Sequence, residues 1–146
     1  MQQNHRILIG CCVAMIIALL TVGSVSHGVV RHIIQTSPLW IVVALGLRKS
    51  PLTKWTALPC FLIWLALMTL IWLFILGWAK VITGTFSPVE IAMTLIVGIA
   101  CLTGIWASFR WRVGAPRFSS LVAFVLVALL QLIALRVSFL PIVPRF

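Results

Sequence analysis

Four long stretches of this sequence lack any ionisable side chain other than cysteine. They cover residues 7–26, 55–79, 91–109 and 118–135. A helix that crosses the hydrocarbon core of a bilayer needs about 20 apolar residues, because each residue adds about 1.5 Å along the axis. Runs of this length predict membrane-spanning helices. Their continuous hydrophobicity lacks the alternation that a transmembrane β-barrel requires.

The composition excludes a soluble fold. The chain of 146 residues is 63% hydrophobic and only 8% charged, whereas soluble domains contain about 25% charged residues. We therefore predict an all-α fold, a polytopic membrane helical bundle in a single domain. It has four long transmembrane helices plus one short span or re-entrant or interfacial helix. The predicted spans are about 7–26, 38–47 (the short one), 55–79, 88–109 and 118–140.

Three Ser-Pro pairs, at 37–38, 50–51 and 87–88, predict three helix starts. Serine is a good N-cap, and proline is tolerated at the first helical position because its missing N–H has no intrahelical partner there. Glu90 stands three residues after Ser87 and completes the pattern of a capping box.

The second predicted span is ambiguous in length. Residues 39–47 give nine uncharged residues after Pro38, which rise only about 14 Å as a helix. Extending the span upstream places Gln35, Thr36 and Ser37 in the membrane. A short span, a re-entrant half-helix and an interfacial helix therefore remain alternatives.

Basic residues predict the topology and a lipid contact. Two groups follow apolar runs, and the positive-inside rule places both in the cytoplasm whether the chain has four spans or five. We expect them to contact anionic lipid headgroups, and the charge bias fits a bacterial inner membrane. The residues are Arg48, Lys49, Lys54, Arg110, Arg112 and Arg117.

The net charge of +10 does not indicate nucleic-acid binding. A nucleic-acid site would collect its basic residues on one face or along one helix. Here they stand at the ends of apolar runs. The expected partners are membrane lipids and other membrane subunits or a second copy of the chain, with no nucleic acid.

The side chains that carry catalysis are scarce. The sequence contains no Asp, no Tyr, one Glu and three His, so it cannot form a Ser-His-Asp triad or a carboxylate pair. His27 and His32 are five residues apart, about 140° around a helix, and do not form one chelating face. We expect no enzymatic activity, no catalytic residues, no cofactor and no metal site.

Polar residues inside the predicted spans are the candidate functional positions. The loop near residue 113 joins two consecutive helices, so residues whose numbers sum to about 226 are expected at equal depth. Glu90 and Arg136 meet this condition, and an isolated charge in a membrane is costly, so an ion pair between them is one prediction. The alternatives are a capping Glu90 and a snorkelling Arg136. Gln131 needs an interhelical partner, expected near Thr94.

Two stripes of small residues predict close helix packing. Gly10, Ala14 and Ala18 repeat at four-residue spacing in the first span, and a second stripe lies in the fourth. Small residues at this spacing let two membrane helices approach closely. The second stripe contains Ala100, Gly104 and Ala107.

These features favour a non-enzymatic integral membrane protein. We expect an accessory or assembly subunit of a membrane complex or homo-oligomer. The alternative is a small oligomeric transporter or channel. A water-accessible cavity at the intramembrane polar residues would favour the alternative, and dry, packed surroundings would favour the accessory subunit.

Overall fold

The computed structural model describes residues 2–78, 85–111, 114–141 and 143. In this part of the chain the secondary structure is entirely helical, and each helix is long and apolar enough to cross a membrane. The predicted fold class, a helical membrane bundle, is confirmed, and the protein is an integral membrane protein. The five described helices are α1 (Gln2–Val25), α2 (Val29–Leu47), α3 (Thr53–Ile75), α4 (Pro88–Arg110) and α5 (Arg117–Ser138).

Helix α2 corrects the short span predicted at 38–47. It begins at Val29, and Pro38 lies inside it rather than in its first turn. Its 19 residues rise about 28 Å, close to the thickness of a hydrocarbon core. The helix start predicted at Ser37 is therefore wrong, and α2 is neither a half-helix nor too short to span.

The Ser37 side chain makes the internal proline of α2 tolerable. Proline has no N–H, so the carbonyl of Ile34 loses its normal helical donor. The Ser37 hydroxyl donates to that carbonyl at 2.8 Å. One residue further along, the Gln35 carbonyl, which Pro38 does not deprive of its donor, accepts a hydrogen bond from the Gln131 amide of α5 at 3.0 Å. Side chains and neighbouring helices can satisfy the backbone groups that a proline frees in a membrane helix.

Helix α3 ends at Ile75, earlier than the predicted 79, which lies outside the described residues. The cause is Gly77, whose φ of 76° is left-handed. The amide of Trp78 donates to the Leu73 carbonyl, and that of Gly77 to the Phe74 carbonyl, both at 2.9 Å. This is a Schellman motif, which closes a helix by satisfying its last carbonyls.

The same closing pattern ends α1 and α2 at residues other than glycine. His27 and Lys49 have φ values of 54° and 53°. The amide that follows each one donates to the carbonyl five residues before it, at 2.8 Å from Gly28 to Gly23 and 3.0 Å from Ser50 to Leu45. These tight turns bring α1, α2 and α3 into successive antiparallel contact.

The other two Ser-Pro pairs differ in outcome. At Ser87 the predicted capping box is confirmed, and α4 begins at Pro88. At Ser50 the helix start is displaced, because α3 begins only at Thr53. There the Ser50 hydroxyl accepts a hydrogen bond from the Leu52 amide at 3.3 Å, within the turn that precedes the helix.

The helices are arranged in a ring with the order α1, α2, α5, α3, α4. Each helix packs against its two neighbours in this order, and α3 also approaches α2 and α1. In the described residues, no Cα atom of α4 lies within 8 Å of a Cα atom of α5. Although consecutive in sequence, α4 and α5 are therefore not adjacent, as pairing of Glu90 with Arg136 and of Gln131 with the Thr94 region would require.

A fully buried layer fills the middle of the bundle. It contains Cys12 and Met15 of α1, Cys60 and Phe61 of α3, and Cys101 of α4, all with no exposed surface. The Cys101 and Met15 sulfur atoms are 3.7 Å apart. We call these five residues the sulfur layer. The cysteines and Met15 behave as small or adaptable apolar side chains, and with the Phe61 ring they pack three helices together.

The two ends of the bundle differ in charge. The exposed side chains of Arg48, Lys49, Arg110 and Arg117 surround the end at which α2 and α4 finish and α3 and α5 begin. We call this the basic end. Lys54 also lies there, but it is half-buried and donates to the Trp111 carbonyl at 3.1 Å.

Gly104→Ala is expected to destabilise the protein by about 1–3 kcal/mol, the usual cost of overpacking. An added Cβ would lie less than 3.0 Å from three ring carbons of Phe61, which is fully buried. Gly98→Ala on the same helix is the control, because a Cβ there meets nothing within 4 Å. Unfolding in a denaturing-detergent titration measures both variants, and equal stability would contradict the packing described.

Ser37→Ala is expected to cost about 1 kcal/mol of unfolding free energy, because the Ile34 carbonyl loses its donor in hydrocarbon. In a Pro38→Ala background the cost should shrink, since residue 38 then supplies a backbone N–H. Ser24→Ala is the control, because its hydroxyl donates to the Leu20 carbonyl at 3.0 Å within an uninterrupted helix. Equal costs in the two backgrounds would show that Ser37 does not compensate for the proline.

Candidate functional site

A cavity of about 460 Å³ lies between the helices at the end opposite the basic end. We call it the end cavity. All five described helices contribute to its wall or mouth, and its volume falls within the range of about 300–1,000 Å³ that small-molecule sites occupy. Its lining residues are Leu19, Val22, Ser26, His27, Gly28, Arg31, His32, Gln35, Trp64, Leu67, Met68, Ile71, Phe86, Glu90, Met93, Thr94, Val97, Leu135 and Phe139.

The end cavity is amphipathic. Its charged and imidazole side chains come from the exposed turn at His27, between α1 and α2, and from the first turns of α2 and α4. Further along the helices, its wall is mostly aliphatic, with Leu19, Met68 and Val97 from three different helices. A molecule with one polar and one apolar part matches this distribution.

Two glycines hold His32 at the rim. A Cβ added at Gly23 of α1 would lie 3.0 Å from the Nδ1 atom of His32, so glycine allows the ring to sit against α1. The same Nδ1 atom is 3.0 Å from the Gly28 carbonyl oxygen. Because a carbonyl only accepts, Nδ1 carries the hydrogen, which leaves Nε2 of the neutral ring as an acceptor.

Arg31 is the cation of the cavity rim. Its side chain is half-buried, and its Nε atom is buried without a hydrogen-bond partner among the described residues. A guanidinium N–H that has lost water and gained no acceptor is unfavourable. This group is therefore available to a bound acceptor.

Glu90 does not pair with Arg136, so the predicted ion pair is wrong. Its carboxylate accepts a hydrogen bond from the Ser87 amide at 2.7 Å. The Glu90 amide in turn donates to the Ser87 hydroxyl at 3.3 Å. No side-chain ion pair forms within 4.0 Å in the described part of the chain. The physical reason is the ring order, which separates α4 from α5 and leaves Arg136 exposed.

Trp64, in the middle of α3, lies deep in the cavity wall. It is only 4% exposed. Its indole Nε1 is buried and has no hydrogen-bond partner among the residues described. Most buried tryptophan N–H groups find an acceptor, so this one marks a place where a ligand atom or a water completes the structure.

Gln131 binds a different partner from the one expected. Its amide nitrogen donates to the Gln35 carbonyl of α2, and not to the region of Thr94 on α4. The Gln35 side chain then donates to the Ser138 hydroxyl of α5 at 2.9 Å. Ser138 donates onward to the Leu135 carbonyl at 2.7 Å. These bonds fix α2 to α5 and position Gln35 in the cavity wall, whereas Gln131 does not line the cavity.

The two small-residue stripes have different surroundings. In the second stripe Ala100 and Ala107 are buried, and Gly104 lies against the Phe61 ring. In the first stripe Ala18 is buried and Ala14 half-buried. Gly10 is exposed, and a Cβ there would meet nothing within 4 Å, so this position packs against no other described helix.

The proposed lipid-binding cations also separate into groups. Four of them are exposed at the basic end: Arg48, Lys49, Arg110 and Arg117. Arg110 lies over the Trp106 ring, with its guanidinium carbon 4.8 Å from the ring centroid. The Lys54 ammonium group donates to the Trp111 carbonyl, so one of its donors is used within the protein and not for a lipid headgroup. Arg112 lies outside the described residues.

The chemistry that these groups offer is binding. Arg31 and Trp64 have unpaired donors, and the ordered ring of His32 offers an acceptor. Among the described residues no group of three or more His, Cys, Asp or Glu side chains is arranged to hold a metal ion.

Sequence reasoning missed most of the cavity residues. Arg31, His32 and Gln35 were assigned to a loop or an ambiguous segment because Pro38 was interpreted as a helix start. A helical period through 29–38 would have placed Arg31 and Gln35 four residues apart on one face. No local signal identifies Trp64 as a cavity residue, because its position depends on the packing of all five described helices.

The chain matches no protein-family model, no curated protein and no solved structure with which it was compared.

Ser87→Ala is expected to lower the stability of the protein by about 1 kcal/mol, because it removes the N-cap of α4. Glu90→Gln retains a capping box and should have a smaller effect. Arg136→Leu should change stability by no more than about 0.5 kcal/mol, since an exposed side chain is altered. Thermal unfolding followed by circular dichroism measures all three, and a large loss with Arg136→Leu would restore the ion-pair hypothesis.

Proposed function

We propose that this protein is a non-enzymatic integral membrane subunit that holds a small amphipathic molecule in the end cavity. The observation that carries the proposal is the buried Trp64 N–H, which lacks an acceptor in the described structure. An unsatisfied buried donor costs about 1–3 kcal/mol. An oxygen of a bound molecule, or a water that enters with it, removes this cost.

The shape and polarity of the cavity support the same proposal. Ligand sites are typically concave, mostly apolar and provided with a few polar groups that set orientation. Here the aliphatic wall favours a hydrocarbon part of the ligand, and Arg31, His32 and Gln35 are placed to orient its polar part.

The proposal keeps the accessory role expected from the sequence. A protein with this small catalytic inventory is suited to holding its ligand for a larger membrane complex or within a homo-oligomer. We place it in a bacterial inner membrane with the basic end in the cytoplasm, because exposed cations concentrate at that end. The end cavity then opens on the opposite side of the membrane.

A transport role is the second candidate, and Glu90 in the cavity wall favours it. The sulfur layer argues against a path through a single bundle, since its residues fill the middle of the structure without exposed surface. Transport would therefore require an opening motion or a pathway between copies.

Native mass spectrometry of the protein extracted in polymer-bounded lipid discs tests the proposal. Wild-type protein is expected to carry a non-covalent amphiphile, and Val22→Phe, which fills the cavity, should lower its occupancy several-fold. Val13→Phe is the control, because Val13 lies on the same helix, is 38% exposed and does not line the cavity. Thermal unfolding verifies that both variants fold.

Equal occupancy in wild-type protein and both variants, or no bound amphiphile in the wild type, would overturn the proposed function. Co-purification of stoichiometric membrane subunits would further support the accessory role.

A further inference from the structure

We infer that the ligand of the end cavity carries an anionic head group, a carboxylate or a phosphate, which binds Arg31 at the rim. The inference rests on the proposed function, since it assigns the chemical class of the molecule held there. It follows from the different states of the two oppositely charged side chains that line the cavity.

The negative charge of Glu90 is already stabilised within the protein. Its carboxylate accepts the Ser87 amide at 2.7 Å and stands in the first turn of α4. The partial positive charge of a helix N-terminus stabilises a carboxylate in this position. A cationic ligand would therefore add little further stabilisation to the Glu90 carboxylate.

The positive charge of Arg31 is not stabilised in this way by the described residues. The described residues supply no acceptor for its buried Nε and no carboxylate within 4.0 Å. Its neighbour on α2, His32, donates from Nδ1 to the Gly28 carbonyl and, as an imidazole, carries no negative charge that could pair with Arg31. A guanidinium in partly desolvated surroundings binds carboxylates and phosphates strongly, because its planar fork matches their oxygens.

The rest of the cavity fixes the orientation of such a molecule. With the anionic head at Arg31, the tail extends along the aliphatic wall towards Val97 and Met68. Trp64 lies in the wall beside this path and is 4% exposed. A quencher carried on the tail should therefore reduce Trp64 fluorescence.

The test uses tail-brominated amphiphiles in phosphatidylcholine nanodiscs that contain the full chain. The probes are a brominated fatty acid, a monoalkyl phosphate with the same tail, and the methyl ester of the fatty acid, at a pH that ionises the acid. The signal is the difference in quenching between wild-type protein and Trp64→Phe. At least one anionic probe should reach half-maximal quenching at about tenfold lower mole fraction than the ester, the effect of one charge-assisted hydrogen bond.

Arg31→Gln should remove this preference, and Arg31→Lys should retain part of it. Arg136→Gln is the matched control, because Arg136 is an exposed cation near the same end of the bundle that does not line the cavity. It should keep the full preference. The comparison of acid with ester in wild-type protein needs no variant, so a misfolded Arg31→Gln protein would not prevent the test.

The two proposals fail in different ways. If no probe quenches Trp64, no amphiphile enters the cavity and the proposed function is overturned. If the ester quenches as well as both anionic probes, the cavity binds amphiphiles but the inference of an anionic head is wrong. A preference for the carboxylate or the phosphate supports the inference and identifies which of the two the site selects.

Discussion

The structure depends on the requirement that backbone polar groups be satisfied inside hydrocarbon. This requirement is most severe in α2, where Pro38 removes a donor in the middle of a 19-residue helix. Ser37 supplies the replacement hydrogen bond within the helix, to the Ile34 carbonyl. In the same turn, Gln131 of α5 pairs its buried amide by donating to the Gln35 carbonyl, a bond that joins helices far apart in sequence. The polar groups around Pro38 thus couple α2 to the position of α5, and through it to the shape of the bundle.

That coupling helps form the end cavity. The hydrogen bonds from Gln131 to α2 and from Gln35 to Ser138 hold α5 beside α2 at the cavity end. Below this region the sulfur layer packs α1, α3 and α4 without exposed surface. The bundle is therefore closed in its middle and open at one end. Arg31 and Trp64 keep unpaired donors in the open part, which is why binding, rather than chemistry, is the function that we propose.

The sequence predicted the features that depend on neighbouring residues. The capping box at Ser87 located the start of α4, and long uncharged runs located four of the five described helices. Features that depend on distant residues were not predictable. Proline at 38 was interpreted as a helix start because Ser-Pro is also the pattern of an N-cap and a first helical residue, and the bond from Gln131 to the Gln35 carbonyl, 96 residues away, has no local signal. The ion pair between Glu90 and Arg136 was wrong because a short connection suggested that α4 and α5 are adjacent, and packing places α3 between them.

The position of α5 between α2 and α3 has a consequence for biogenesis. Membrane helices insert as separately stable units and associate afterwards. Helices α1 to α4 can already associate in a closed arrangement, because α2 and α3 contact each other directly as well as through α5. The last helix then adds along the seam between α2 and α3, where Leu135 contributes to the wall of the end cavity. The wall of the end cavity is therefore complete only after the most C-terminal described helix has associated with the other four.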